Sequence, residues 1–255
     1  MRFSACLALL FTLLFNTCQG APQARIVGGD DAVLGQFPYQ ASLSIGGSYN
    51  CGAVIIAERY ALTALGCVCS KGSDKPWPPQ LFQVAAGTVD LYTGGQRITV
   101  EEILVNPNYI ELEIGVALLR LREPMVFNEY VNAVPLARQN PPEGVTIEVS
   151  GWGRQKDTDE NMYRTLQLND ETVLPVQDCR VVSDEGDLLP LNEQVLCLGH
   201  ARKNGICRGD FGGPAVYGQQ LVGLAADTLG ECGSMMPDRF ISIAANYEWI
   251  IENME

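Results

Sequence analysis

Histidine is almost missing from this chain of 255 residues, with His200 the only one. One imidazole cannot build a zinc site of the usual types, and the nine cysteines are spaced as bridges, so neither a metal nor a cofactor is implied. Basic residues are also scarce: 17 Lys and Arg stand against 30 Asp and Glu, a formal net charge of -13. That balance excludes phosphate-backbone binding as the main activity, so no nucleic-acid partner is expected. An acidic surface keeps a protein soluble and can draw in basic partners. Beyond residue 20 there is no Asn-x-Ser/Thr acceptor, and no apolar run long enough to span a membrane.

The one sustained apolar run, Ala5 to Phe15, follows Arg2 and precedes the small-residue stretch Cys18-Gln-Gly20, the layout of a secretory signal over residues 1–20. A secreted, extracellular protein is therefore expected. Cys6 and Cys18 leave with that segment, so seven cysteines enter an oxidising compartment and at least one lacks an intramolecular partner.

Helical periodicity is also absent over most of the length. Tyr39 to Ile45 alternates apolar and polar residues as a half-buried strand does, Gly46-Gly47-Ser48 turns the chain, and Cys51 to Ile56 makes a return strand. Short strands broken by Gly, Pro and Asn continue to about Ile243, which predicts an all-β barrel or sandwich. At the end Ile243, Tyr247, Ile250 and Ile251 share one face of an amphipathic helix.

The chain is organised around Cys207-Arg-Gly-Asp-Phe-Gly-Gly-Pro214. Its glycines permit a tight bend that leaves the Gly209 and Phe211 amides free to meet a developing oxyanion, with Asp210 behind them. The stretch resembles the Gly-Asp-Ser-Gly-Gly-Pro signature of the chymotrypsin/trypsin family of serine proteases, with Phe211 at the nucleophile. A phenyl ring has neither a lone pair to attack a carbonyl nor a proton for a base to take.

The resemblance extends along the chain. Cys51 to Cys67 is similar to the family segment ending Leu-Thr-Ala-Ala-His-Cys, and Gly66 stands at the general-base histidine. Gly115-Val-Ala-Leu-Leu-Arg-Leu121 resembles Asp-Ile-Ala-Leu-Leu-Lys-Leu, with Gly115 at the orienting aspartate. Ala226 takes the place of a serine that contacts that aspartate. Arg25 before Ile26-Val-Gly-Gly29 resembles an activation junction, whose cleavage would free an ammonium at Ile26 to pair with Asp210. Gly151-Trp-Gly153 and Asn246-Tyr-Glu-Trp-Ile250 add further landmarks.

The resemblance implies two antiparallel six-stranded β-barrels of the chymotrypsin type with a C-terminal α-helix. It also implies a propeptide at 21–25 and a protease domain at 26–255. Within that domain the barrels fall at about 26–135 and 136–242, and the helix at about 243–254. It pairs Cys51 with Cys67, Cys179 with Cys197 and Cys207 with Cys232. Cys69 is left over, as a buried or capped thiol or as the anchor of an intermolecular disulfide. The specificity pocket falls on Gly205, Thr228 and Asp238, with Asp238 read as a satisfied surface or loop carboxylate and His200 as a solvated loop residue. Asp90 is the only carboxylate where some trypsins bind calcium, which gives calcium no support. The Phe211 ring is expected to lean into the volume left by the missing imidazole.

With Gly66, Gly115 and Phe211 in the three triad positions, the expectation is a protein that is not an enzyme. It would be a secreted homologue that binds a protein partner, such as an active protease or a protease inhibitor, as cofactor, decoy or scaffold. The alternatives are a serine-type endopeptidase with a non-standard catalytic set, and an inert secreted protein.

Overall fold

The computed structural model describes residues 28–109, 114–181 and 193–254. The segment at 1–20, the Arg25–Ile26 junction and the expected partner of Asp210 lie outside the described residues. After the short β1 (Asp30–Asp31) come β2 (Gln40–Ile45), β3 (Ser48–Ala57), β4 (Tyr60–Ala64), β5 (Phe82–Ala86), β6 (Gln96–Val105) and β7 (Val116–Leu121). These last six close into an antiparallel barrel in the order β2-β3-β4-β7-β6-β5. Leu43, Ile55, Leu62, Val84, Leu118 and Leu119 on its strands are all buried. Each such side chain contributes about 1.5–3 kcal/mol by leaving water.

The second unit holds β8 (Thr146–Gly151), β9 (Gln167–Val173), β10 (Val195–Gly199), β11 (Pro214–Tyr217), β12 (Gln220–Thr228) and β13 (Asp238–Ser242). They run β9-β10-β13-β12-β11-β8, and the register of Thr146 on Thr172 through Gly151 on Gln167 brings β8 back onto β9 and closes the ring. The fold is therefore two closed six-stranded antiparallel barrels, and β1 adds an outer pairing to β9.

The β2 strand departs from its expected half-buried character: Gln40 and Ser42 are as buried as Ala41 and Leu43. Its outer face meets the second barrel, where the Ser150 hydroxyl donates to Gln40 Oε1 at 2.6 Å. The barrels approach closely at Gly52, where a Cβ would lie 2.7 Å from Gly213. Only glycine allows that approach.

The chain ends in α1 (Ile243–Glu252), capped by the Ser242 hydroxyl accepting from the Ala245 amide at 3.2 Å. Ile243, Asn246 and Ile250 form its buried face, whereas Ile251 is 44% exposed, a correction to the expected apolar stripe. One residue beyond Ile250 is a rotation of about 100°, which turns Ile251 outward. Asn246 donates to Gln194 and Ser242 O and accepts from Asn106, so the polar residue on this face fixes the helix across both barrels.

Candidate functional site

The turn at 207–214 is pressed between the barrels. Gly209 and Gly212 have φ of 101° and 78°, and a Cβ on Gly212 would meet Thr63 Oγ1 at 2.2 Å, so glycine is required there. The Asp210 amide donates to Cys207 O, Gly212 to Ala225 O and Gly213 to Asp210 O. The Gly52 amide donates to Phe211 O at 2.8 Å, and the Tyr49 hydroxyl to Gly209 O at 2.6 Å. The amides of Gly209 and Phe211 donate to no other described residue.

Asp210 is 2% exposed, with one carboxylate oxygen accepting from the Gly153 amide at 2.7 Å and the other from Cys207 at 2.9 Å. Gly151 and Gly153 make room for it, since a Cβ on either would fall within 2.2 Å of the carboxylate. Burial pushes the Asp210 carboxyl up to about 7 against the pull of the two amides.

The three positions that resemble the triad differ in their surroundings. Gly66 lies in a single 3-10 turn, Leu65–Cys67, and a Cβ there would meet nothing within 4 Å. Gly115 is enclosed: a Cβ would lie 2.8 Å from Leu65 Cδ2 and 3.1 Å from Tyr109 Cβ. The fully buried Leu65 also donates its amide to Gly115 O at 2.6 Å. Leu65 thus fills the space where the orienting carboxylate would stand. Phe211 is half-buried and puts no atom within 4 Å of where a Cβ on Gly66 would stand. It shares the wall of an open cavity of about 240 Å³ with Gly66 and Ala226. Its carbonyl accepts from the Gly52 amide on the other barrel.

The pocket residues also depart from expectation. The side chains of His200 and Asp238 are 2% and 4% exposed, with Nε2 and Oδ2 3.4 Å apart. Asp238 Oδ2 also accepts from the Ile206 amide at 2.8 Å, and His200 Nδ1 lies 3.0 Å from Ala201 O. His200 is thus neither solvated nor free, and Asp238 is an interior carboxylate held by the chain itself. Both lie against Gly205, where a Cβ would come 2.5 Å from the imidazole. Burial pulls His200 down, but the hydrogen bond and charge of Asp238 outweigh it and hold the imidazole above its ordinary value. Burial raises Asp238 despite His200. Thr228 is the register partner of Asp238 on β12 and donates to Gly230 O.

Glu171 was missed by the sequence reading. It is 1% exposed, neither carboxylate oxygen has a hydrogen-bond partner among the described residues, and burial together with the charges of Asp238 and Asp210 pushes it well above the carboxylate range. The buried positions on β9 alternate as Gln167, Asn169, Glu171 and Val173, but three of the four are polar, so no apolar alternation in the sequence marks Glu171 as inward-facing.

The structure joins Cys51 to Cys67, Cys179 to Cys197 and Cys207 to Cys232. Cys69 is free and 9% exposed, with its thiol pushed up to about 11, chiefly by burial. Both facts work against the intermolecular disulfide considered for it. Asp90 accepts from Arg164 Nε and a second guanidinium nitrogen and from the Tyr92 and Thr93 amides.

The family model described as Trypsin matches residues 26–250. Among curated relatives, "Serine protease SP24D" of Anopheles gambiae is 34% identical over 233 residues, covering 91% of this chain and 82% of that protein. "Trypsin delta" of Drosophila erecta is 29% identical over 231 residues, covering 90% and 88%. Among solved structures, human heparin binding protein superposes with a TM-score of 0.75 at 28% identity, over 90% of this chain and 98% of that one. Relatives named as a serine protease and a trypsin overturn the expectation that the chain is no enzyme: its kinship points to proteases. The landmarks around Gly66, Gly115, Trp152 and Phe211, the paired barrels and a family match over residues 26–250 agree that the chain belongs to the trypsin family.

Proposed function

We propose that this trypsin-family protein is exported and acts by holding a protein partner at the cleft between its barrels. The observation that carries the reading is the turn at Phe211: its Gly209 and Phe211 amides remain without partners among the described residues, and a phenyl ring stands where the signature places the attacking hydroxyl. Unbonded amides can donate to a carbonyl of an extended segment. The side chains at residues 66, 115 and 211 supply no nucleophile, base or orienting carboxylate. The apolar leader and three disulfides support the exported setting.

Asp238, already bonded to His200 and Ile206, is not available to a basic side chain, which argues against trypsin-like selection of Lys or Arg. The heparin binding for which the superposed human protein is named does not carry over, because a net charge of -13 repels a polyanion. A second reading, an endopeptidase with a non-standard catalytic set, is favoured by the names of the relatives.

One experiment separates the two. The purified protein is incubated with a mixed peptide library, and mass spectrometry reads both the retained and the cleaved peptides. Retention without turnover supports the binding reading. Turnover that is abolished by a broad electrophilic serine or cysteine probe supports the second, and neither retention nor turnover refutes both.

A further inference from the structure

The cavity of about 240 Å³ beside Phe211 is apolar on its inner wall: the Cys51–Cys67 bridge, Ala64, Gly66, the Phe211 ring and Ala226 line it. Its polar lining residues include Lys71 and Asp227; Lys71 is exposed, and Asp227 is already bound by Arg239. The Cys69 thiol on the same wall is raised by burial, which marks the surroundings as poorly hydrated. An enclosed apolar cavity of about 150 Å³ stays dry and takes up benzene, so this larger and partly open one has room for a substituted ring. A charged ligand would lose its hydration against the apolar residues, and of the two charged lining residues Asp227 is already bound and Lys71 is exposed to water.

We infer that this cavity is a binding site for a single neutral aromatic ring, supplied either by a free small molecule or by a side chain of a bound polypeptide. The walls are held in place before any ligand arrives. The disulfide ties one side, the Gly52 amide clamps Phe211 O on another, and the Gly212 amide holds the turn to Ala225 O. A preformed apolar pocket binds a ring without the cost of ordering its own walls. The peptide source rests on the binding reading above, and the free-molecule source stands without it.

Gly66 provides the test, because a Cβ there meets nothing within 4 Å and a longer side chain projects into open space. Two probes are titrated by ¹⁹F NMR, 4-fluorotoluene and a short neutral peptide carrying 4-fluorophenylalanine, against the wild-type protein and Gly66→Leu. The expected result is saturable binding of 4-fluorotoluene, weakened at least tenfold in Gly66→Leu with an unchanged melting temperature. Gly66→Ala, a smaller plug, should give an intermediate affinity, and it serves if the leucine variant folds poorly. Binding of the peptide alone, lost in the same variants, supports the site and names a protein side chain as its source. Binding of neither probe, or binding that Gly66→Leu leaves unaltered, overturns the inference. Failure of 4-fluorotoluene alone leaves the polypeptide reading intact, and failure of the peptide library alone leaves the cavity intact.

Discussion

Placing an aspartate at residue 115 should be far harder than placing a histidine at residue 66. In Gly115→Asp the new Cβ would sit 2.8 Å from Leu65 Cδ2 and 3.1 Å from both Leu65 Cβ and Tyr109 Cβ, against a side chain with no exposed surface. Overpacking of this kind costs about 1–3 kcal/mol. A buried carboxylate without a partner adds several more, for a total of about 3–5 kcal/mol. Gly66→His faces open space and should change stability by less than about 0.5 kcal/mol. Urea denaturation followed by fluorescence reads both. If Leu65 is the obstacle, Leu65→Ala combined with Gly115→Asp should be at least about 1 kcal/mol more stable than the sum of the single effects. A Gly115→Asp protein within about 1 kcal/mol of wild type, or strict additivity with Leu65→Ala, would refute the argument that Leu65 has taken the space of the carboxylate.

Three further outcomes follow from the buried titratable groups. Asp210 keeps its proton to about pH 7 in the folded chain but releases it near 3.8 when unfolded, so the folded state binds more protons between those values. Stability should therefore fall as pH rises from about 4 to 7, by up to roughly 4 kcal/mol, in protein that retains the residues before 26; Asp210→Asn should flatten the slope in chemical denaturation at a series of pH values. His200→Gln leaves the buried Asp238 without its imidazole partner and should cost about 3–5 kcal/mol, whereas the paired His200→Gln/Asp238→Asn should recover part of that loss in the same assay. Cys69 should be alkylated by iodoacetamide at pH 8 far more slowly than a free thiol, because a thiol near 11 has only about a thousandth of its population ionised there; labelling at the rate of free cysteine would show that the segment opens.

Much of this architecture was legible before any coordinates. Strand alternation, turn residues and a helical period confined to the last residues pointed to an all-β chain with a terminal helix, and landmarks from Cys51 to Trp249 in the right order narrowed it to paired barrels. The identities of residues 66, 115 and 211 also settle from sequence alone what those positions cannot supply, because a missing imidazole, carboxylate or hydroxyl is a matter of covalent structure.

What those losses left behind was decided only by the tertiary structure. Two glycines look alike in sequence, yet Gly66 opens onto a cavity and Gly115 is sealed by a leucine some fifty residues upstream. His200 and Asp238 read as unrelated loop residues until β10 and β13 pair and bring their side chains together away from water. Glu171 looks like any acidic residue on a strand, and only barrel closure turns it inward toward two other buried carboxyl groups. Local periodicity reports which face of an element is apolar. Which distant side chain occupies a vacated space, and which charges must share one interior, depends on contacts between residues far apart in the chain, and these exist only once both barrels have closed.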